Sequence, residues 1–273
     1  MKTTAVCAAD AIVLRMQRLL NSELLADILI VLVNFAKKKG LCKIRTRYNR
    51  TETQRRILST CVRLFIEQGY SNTSPKQIFK EADVSAGTFY HLYKSKGGVL
   101  NELIDFMFDN QFDIADQVIG SKAKPVMLYA VETAIQLALA EINENIRDIY
   151  VQVYTQPDTA ALIQEKMAKE LYKLFGSYMP GCGQSDFYEL EIGTSAIMRG
   201  FMVHPCDMYF TLERKIARFL SISLSIFRVP ESDQQEVLEY MSKLDIRDIA
   251  MRVMHELFEA LAMKFDFELS EQK

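Results

Sequence analysis

Hydrophobic residues recur at spacings of three and four along most of the chain, which is typical of helices that bury one face. Proline and glycine interrupt this pattern at short intervals and predict the turns between helices. No alternating strand pattern competes with it, so we predict an all-α protein. Beyond residue 96 the predicted helices cover about 97–119, 125–143, 146–155, 158–178, 186–203, 211–228, 231–243 and 245–267.

Three shorter helices are predicted between residues 51 and 96 from their start and stop signals. Thr51–Gln54 and Ser74–Gln77 each have the pattern of a capping box, and Pro75 suits the first position of the second helix. Gly69 ends the first helix, and Ser85 can cap the third. The residues expected to face the core of this segment are Ile57, Cys61, Leu64, Phe65, Phe89 and Tyr93.

Charge is distributed unevenly along the chain, although the net charge is only -2. Residues 37–96 contain fourteen Lys and Arg against four Asp and Glu, whereas 97–273 contain sixteen basic and twenty-eight acidic residues. The basic segment therefore predicts an anionic partner, and the rest of the chain does not. With 49% hydrophobic residues the chain can bury a substantial core.

Residues 1–36 are interpreted as an extension of unknown role, and residues 37–50 as a basic arm. The apolar run Leu24–Ala36 has thirteen residues, whereas a membrane-spanning helix needs about 20. Lys37–Lys39 follow this run rather than precede it, which disfavours a signal peptide. The five cysteines form no CxxC pair, so we expect a cytoplasmic protein without a membrane partner.

No recognised catalytic arrangement occurs in the sequence. HExxH, CxxC, GxGxxG, Walker and GxSxG patterns are all missing, and the chain has three histidines. His204–Asp207 and the upstream Cys182 do not have the spacing of metal ligands. We therefore expect no enzyme, no metal and no cofactor, and an enzyme would require convergent polar residues in an internal cavity.

The stretch Ser85–Lys96 resembles the recognition helix of the TetR family of bacterial regulators. Ile57–Thr73 resembles that family's first helix and the turn after it, and the resemblance covers about residues 51–105. It implies a helix-turn-helix DNA-binding domain at 51–96 and a larger helical domain at 97–273 that binds a small ligand and dimerises. Gly97 and Gly98 depart from the family pattern and predict a weak start for the helix that joins the two domains.

The resemblance also implies roles for individual residues. Phosphate contacts are expected from the second helix and its start and from the tyrosine and lysine of the motif, and base contacts from the exposed face of the third helix. Thr88 and His91 are our candidates for direct base readout, although a lone histidine is often an ordinary surface residue. The basic arm next to the motif favours minor-groove or phosphate contact over a solvated charge run. The complete predicted DNA-binding set is Arg45, Arg47, Arg50, Thr73, Ser74, Lys76, Ser85, Ala86, Gly87, Thr88, Tyr90, His91 and Lys96.

The helices after residue 97 are rich in methionine and aromatic residues, which can line an adaptable apolar pocket or fill an ordinary core. Two apolar stripes, Leu212–Ser223 and Ile246–Leu261, suit either a dimer interface or an internal core. The leading hypothesis is a homodimeric repressor that a small apolar or amphipathic ligand releases from a near-palindromic operator, with activation left open. The alternative is a TetR-like architectural or protein-interaction dimer without a ligand. The candidate pocket residues are Met107, Phe108, Tyr129, Tyr150, Tyr154, Met167, Met198 and Met202.

Overall fold

The computed structural model describes residues 50–120 and 124–265, and within these ranges the regular structure is helical throughout. This confirms the all-α prediction. Eleven helices are present in the described ranges: α1 (Arg50–Gln68), α2 (Pro75–Glu81), α3 (Ala86–Tyr93), α4 (Lys96–Ile119), α5 (Pro125–Leu139), α6 (Glu144–Val153), α7 (Pro157–Phe175), α8 (Gln184–Val203), α9 (Leu212–Ile226), α10 (Glu231–Ser242) and α11 (Ile246–Phe265).

The chain divides into two units, and the packing described below lies within the larger one. Among the described residues the larger unit comprises 60–120 and 124–260, and the smaller comprises 50–59 and 261–265. None of the described helices combines the length and apolarity needed to cross a membrane. The prediction for residues 1–36 and most of the arm 37–50 falls outside the described residues.

The signals that end α1 and start α2 and α3 act as the sequence predicts. The capping box predicted at Thr51 is wrong, because Thr51 lies inside α1, which already includes Arg50. Gly69 ends α1 with φ +84°, a conformation that glycine adopts without strain. The Tyr70 ring then packs against Phe65, with ring centroids 5.1 Å apart. The Ser74 hydroxyl accepts a hydrogen bond from the Gln77 amide at 3.2 Å, and that of Ser85 accepts one from Thr88 at 3.0 Å. These contacts fix a short helix, a turn and a second short helix.

Helix α5 forms the centre of the larger unit. Thirteen of its fifteen residues are buried, because α4, α7, α8, α9 and α10 all pack against it. Aromatic rings surround Tyr129 of α5: its ring meets Phe175 at 5.1 Å and Phe227 at 5.8 Å, both edge to face. Phe175 and Phe227 stack on each other at 4.5 Å.

Two sequence-based expectations change in this region. The helix predicted over 125–143 ends at Leu139, and α6 begins at Glu144 because the Asn143 side chain accepts a hydrogen bond from the Ile146 amide at 2.9 Å. The described side chains of both apolar stripes are buried within the chain, so they form internal core and not a free interface surface. The structure does not describe the side chain of Leu261. The buried members are Leu212, Ile216, Phe219, Ser223, Ile246, Ile249, Val253 and Leu257.

Candidate nucleic-acid interface

Aromatic packing fixes the orientation of α3 on α2. The ring of Phe79 lies 5.1 Å from that of Phe89 and 5.6 Å from that of Tyr90, and Phe89 lies 5.8 Å from Tyr93. Phe89 and Tyr93 are buried, as the sequence predicts for the inward face. Because they anchor one side of the helix, its opposite side faces solvent.

The outward side of α3 carries the residues that the sequence assigns to base edges and phosphates. Ala86, Gly87 and His91 are exposed, and 48% of Tyr90 is exposed. Thr88 is half-buried, and its hydroxyl lies 2.9 Å from that of Ser85. This part of the predicted set therefore forms one continuous surface that another molecule can reach.

The start of α2 contributes a second exposed element. Ser74 and Lys76 are exposed at its first turn, and Pro75 occupies the first helical position. Backbone N–H groups at a helix start attract anions, and the lysine adds a positive charge. These two residues are therefore placed where a phosphate could bind.

Thr73 and Lys96 have contacts within the chain itself. Thr73 is 1% exposed, and its hydroxyl donates to the Gly69 carbonyl at 2.8 Å. The Lys96 ammonium donates to the carbonyls of Tyr70 at 2.7 Å and Thr73 at 2.8 Å, and it lies 3.9 Å from the centre of the Tyr70 ring. Burial lowers the pKa of Lys96. In the free chain both side chains hold the turn between α1 and α2.

The remaining basic candidates are only partly described. Arg45 and Arg47 lie outside the described residues, so their predicted contacts stay predictions. Arg50 is exposed at the first residue of α1.

Comparison with known proteins identifies the family of this domain. The family model described as bacterial regulatory proteins, tetR family, matches residues 57–103. Over these residues the chain is similar to the TetR family. The match contains α2, α3 and the aromatic anchors described above, so the family resemblance found in the sequence is confirmed.

The curated relatives are each similar over a limited part of the chain. The uncharacterized HTH-type transcriptional regulator YuxN of Bacillus subtilis is 30% identical over 95 residues, which are 35% of this chain and 31% of that protein. YvkB of the same organism is 29% identical over 105 residues, 38% of this chain and 52% of its own. The HTH-type transcriptional regulator AcrR of Shigella flexneri is 35% identical over 66 residues, 24% of this chain and 31% of its own. The chain thus spans between about a third and a half of the length of these relatives.

One solved structure aligns over a longer range. The crystal structure of a gamma-butyrolactone receptor, an ArpA-like protein, covers 76% of this chain and 98% of its own. The TM-score is 0.38 and the sequence identity is 13%.

A polar face of α6 binds the α1–α2 turn of the TetR-family domain. The Asp148 carboxylate accepts hydrogen bonds from the Ser71 amide at 2.6 Å and from the Ser71 hydroxyl at 2.7 Å. The Asn145 amide donates to the carbonyls of Ile66 and Glu67, both at 3.0 Å. Sequence reasoning missed this contact, because the partners lie more than seventy residues apart and polar residues on a helix usually indicate a solvated face.

Next to the turn, the start of α4 packs closely on the end of α3. A Cβ atom added to Gly98 would lie 1.9 Å from the Tyr93 carbonyl oxygen, whereas one added to Gly97 would meet only ordinary contacts, the nearest being the Ser95 hydroxyl at 3.5 Å. Gly98 therefore has a packing role in addition to the weak helix start that the sequence predicts. Glycine is required there because the two backbones approach each other.

The predicted pocket residues lie mainly in the core of the larger unit. The structure does not describe the side chains of Met107 and Phe108. Tyr154 is partly buried, and its hydroxyl donates to Gln136 at 2.7 Å. The fully buried candidates are Tyr129, Tyr150, Met167, Met198 and Met202.

Two buried glutamates beside these candidates were not predicted. Glu132 of α5 and Glu191 of α8 are 1% and 5% exposed. Burial raises the pKa of Glu132 to about 7 and that of Glu191 to about 8, and the neighbouring Glu132 contributes to the second shift. The sequence around a single glutamate in a helix does not indicate whether its side chain is buried or exposed.

A surface groove of about 670 Å³ lies at the end of α8 and the loop after it. Ile197, Phe201 and Phe210 are among its lining residues, and none of the predicted pocket residues lines it. Beneath the loop, the buried Lys215 forms an ion pair with Glu141 and donates to the His204 carbonyl. These bonds hold the loop on the helices below it.

Proposed function

We propose that this chain is a sequence-specific DNA-binding transcriptional regulator whose α3 enters the major groove. The outward side of α3 carries the proposal, because Tyr90 and His91 are exposed there while Phe89 and Tyr93 anchor the opposite side. In this proposal His91 and Thr88 contact base edges. Tyr90, Ser74 and Lys76 contact phosphates, and the helix starts add their N–H groups.

The regulator acts as a homodimer on a near-palindromic operator. A recognition helix of eight residues contacts only a few base pairs, so one copy provides little specificity. Two copies related by a twofold axis would place two α3 helices about one DNA turn apart. The exposed side of α8 supports this assembly, since its Ile192 and Val203 are each 47% exposed, with the exposed Arg199 between them.

A small molecule bound in the larger unit releases the protein from its operator. Helix α6 supports this part of the proposal, because one face of it binds the α1–α2 turn through Asp148 and Asn145. Its other face contributes Tyr150 and Val153 to the core, and Tyr154 follows at its end. A ligand that moves α6 would therefore move the turn that positions α2.

The alternative, an architectural or protein-interaction dimer without a ligand, is favoured by one observation. The groove at the end of α8 is open, and none of the predicted pocket residues lines it. If no small molecule changes the DNA affinity, this alternative replaces the ligand-released repressor.

Selection of DNA from a random pool tests the proposed function. The wild-type protein is expected to enrich a near-palindromic sequence. His91→Ala should relax the preference at one position of each half-site by about 1–3 kcal/mol, whereas Tyr90→Phe should weaken binding to all sequences alike. Enrichment of no sequence, or a uniform effect of both variants, contradicts base readout by α3. Lys96 is unsuitable for this comparison because its replacement would also disturb the turn that its ammonium holds.

A further inference from the structure

Glu132 of α5 and Glu191 of α8 form a buried acidic pair, which we call the carboxyl pair. The Gln136 amide donates to Oε1 of Glu132, and the Thr194 hydroxyl donates to Oε2 of Glu191 at 2.6 Å. Oε2 of Glu132 is also buried, and it has no hydrogen-bond partner among the described residues. A protonated carboxyl tolerates such a place, whereas a carboxylate loses its hydration there.

The titratable groups that face the carboxyl pair are phenols. The charges of Glu132 and Glu191 act on Tyr129 of α5 and on Tyr154 at the end of α6, and Tyr150 of α6 also acts on Tyr154. Burial raises the pKa of the Tyr129 and Tyr154 phenols, so these stay protonated near neutral pH.

The buried or partly buried charges of the neighbouring helices have contacts elsewhere. Lys215 of α9 and Arg147 of α6 both pair with Glu141, which follows the end of α5. Asp233 of α10 pairs with Lys124. The charged side chains of α7, and those of α8 apart from the pair, are exposed or partly exposed. Within the described part of the chain no cation therefore compensates an ionised carboxyl of the pair.

A series of hydrogen bonds connects Glu132 to the α1–α2 turn. Gln136, which donates to Glu132, accepts a hydrogen bond from the Tyr154 hydroxyl at 2.7 Å. Tyr154 immediately follows α6, and Asp148 of α6 accepts the hydrogen bonds from Ser71. A change in the packing around Glu132 therefore reaches, through α6, the turn that positions α2.

We propose that the carboxyl pair is a proton sensor that weakens operator binding when it ionises. The proposal rests on the proposed function, because operator affinity is the property that the sensor changes. With both carboxyls protonated, α5, α6 and α8 keep the described packing, and α6 holds the turn. Loss of a proton from the pair to solvent favours a packing in which water reaches the carboxylate, and that packing shifts α6 and releases Ser71.

The direction of the response follows from the raised pKa of both carboxyls. Burial raises the pKa of Glu132 to about 7 and that of Glu191 to about 8, whereas a hydrated glutamate titrates near its ordinary pKa of 4.5. The described packing thus holds protons that a hydrated packing releases. Its advantage is lost as pH rises through the raised values, so operator affinity should fall between about pH 6 and about pH 9.

Titration of the full chain with the DNA fragment enriched from a random pool tests the proposal. Between about pH 6.5 and about pH 8.5, the affinity of the wild type should fall about fivefold more than that of Glu132→Gln, which carries a neutral amide instead of the titrating carboxyl. Glu191→Gln should behave like Glu132→Gln. Glu189→Gln removes an exposed carboxylate from α8 and should keep the wild-type response. Other titrating groups, His91 among them, are common to these proteins and cancel in the comparison.

Hydrogen exchange of the peptide containing Ser71 measures the connection through α6 without DNA. The ratio of its exchange rate in the wild type to that in Glu132→Gln should rise about threefold or more over the same pH range, because intrinsic exchange cancels. Tyr154→Phe removes the hydrogen bond to Gln136. In this background the ratio should stay constant, although both carboxyls still titrate. Circular dichroism at each pH shows that every variant remains folded.

The two readouts separate the proton sensor from the proposed function. The sensor is overturned if the exchange ratio does not change with pH, if Tyr154→Phe leaves that change intact, or if the glutamine variants keep the wild-type pH dependence of operator affinity. A protein that still selects its operator in these cases remains a regulator. Conversely, a pH-dependent exchange ratio in a protein that selects no DNA supports control of the turn by the carboxyl pair and rejects the proposed function.

Discussion

At the scale of single residues, burial makes the side chains of Glu132 and Glu191 weaker acids. In the unfolded chain a glutamate loses its proton near its ordinary pKa of 4.5, whereas in the fold the pKa of Glu132 rises to about 7 and that of Glu191 to about 8. Between these values the unfolded chain binds fewer protons than the fold. The two residues therefore make the free energy of unfolding depend on pH.

We expect the free energy of unfolding to fall as pH rises from about 5 to about 8. The sign follows from the raised pKa of each folded glutamate: the stability present below the unfolded pKa is lost as pH rises through the folded values. Glu132→Gln should therefore stabilise the protein at pH 8 by on the order of 3 kcal/mol and have little effect near pH 5. Urea unfolding at the two pH values measures the difference.

The exposed Glu189→Gln variant is the control, and it should keep the wild-type pH dependence. If the Glu132→Gln, Glu191→Gln double variant unfolds with the same pH dependence as the wild type, other groups determine that dependence.

At the scale of secondary-structure elements, α6 and the residue that follows it make hydrogen bonds to two separate parts of the fold. Asp148 and Asn145 bind the α1–α2 turn, and Tyr154 at the end of the helix reaches Gln136 on α5. These contacts join residues that are distant in the sequence through a helix of ten residues. A shift of α6 would therefore change the contacts both at the α1–α2 turn and at Gln136.

Replacing Asp148 by alanine should loosen the α1–α2 turn. The substitution removes two hydrogen bonds to a charged acceptor, and the Ser71 amide should exchange its hydrogen faster with solvent. Operator affinity should fall several fold, equivalent to about 1 kcal/mol, because the turn positions α2. Hydrogen exchange of the peptide containing Ser71 and a DNA titration measure these effects.

Glu144→Ala supplies the matched control, since it removes an exposed carboxylate from the same helix. It should leave both the exchange at Ser71 and the operator affinity close to the wild-type values. Unchanged exchange in Asp148→Ala would show that the turn does not depend on α6.

At the scale of the whole molecule, the internal location of both apolar stripes leaves the exposed side of α8 as the surface for the proposed dimer. The exposed side of α8 carries Ile192 and Val203, whose large apolar side chains are about half exposed. Partner helices commonly cover such a surface, and a twofold axis through α8 would place α8 of one protomer against α8 of its partner.

We expect Ile192→Glu to weaken the dimer and with it operator binding. A carboxylate in place of this apolar side chain would lose its hydration on burial against the partner helix. Sedimentation velocity at micromolar concentration should show a dimer for the wild type and a shift towards monomer for the variant. Ala161→Glu introduces the same side chain at an exposed position of α7 and should remain dimeric. A wild-type monomer that binds one half-site tightly would contradict the dimer.

The sequence by itself determined the local features of this protein. Helix starts and stops depend on a few neighbouring residues, so Ser74, Ser85 and Gly69 are sufficient to locate the short helices. Spacing on α3 separated the buried Phe89 and Tyr93 from its exposed side for the same reason. The TetR-family resemblance depends on these local patterns, which is why it could be recognised from residues 51–105 alone.

Only the tertiary structure decided which surfaces meet. Periodicity shows that a helix has a buried face, but it does not show whether that face is covered by the same chain or by a second copy, so the apolar stripes were ambiguous. The contacts of Lys96 and Asp148 depend on backbone atoms that are distant in the sequence and are brought close by folding. The burial of Glu132 depends on the helices that surround α5, and it is this burial that changes the chemistry of its carboxyl group.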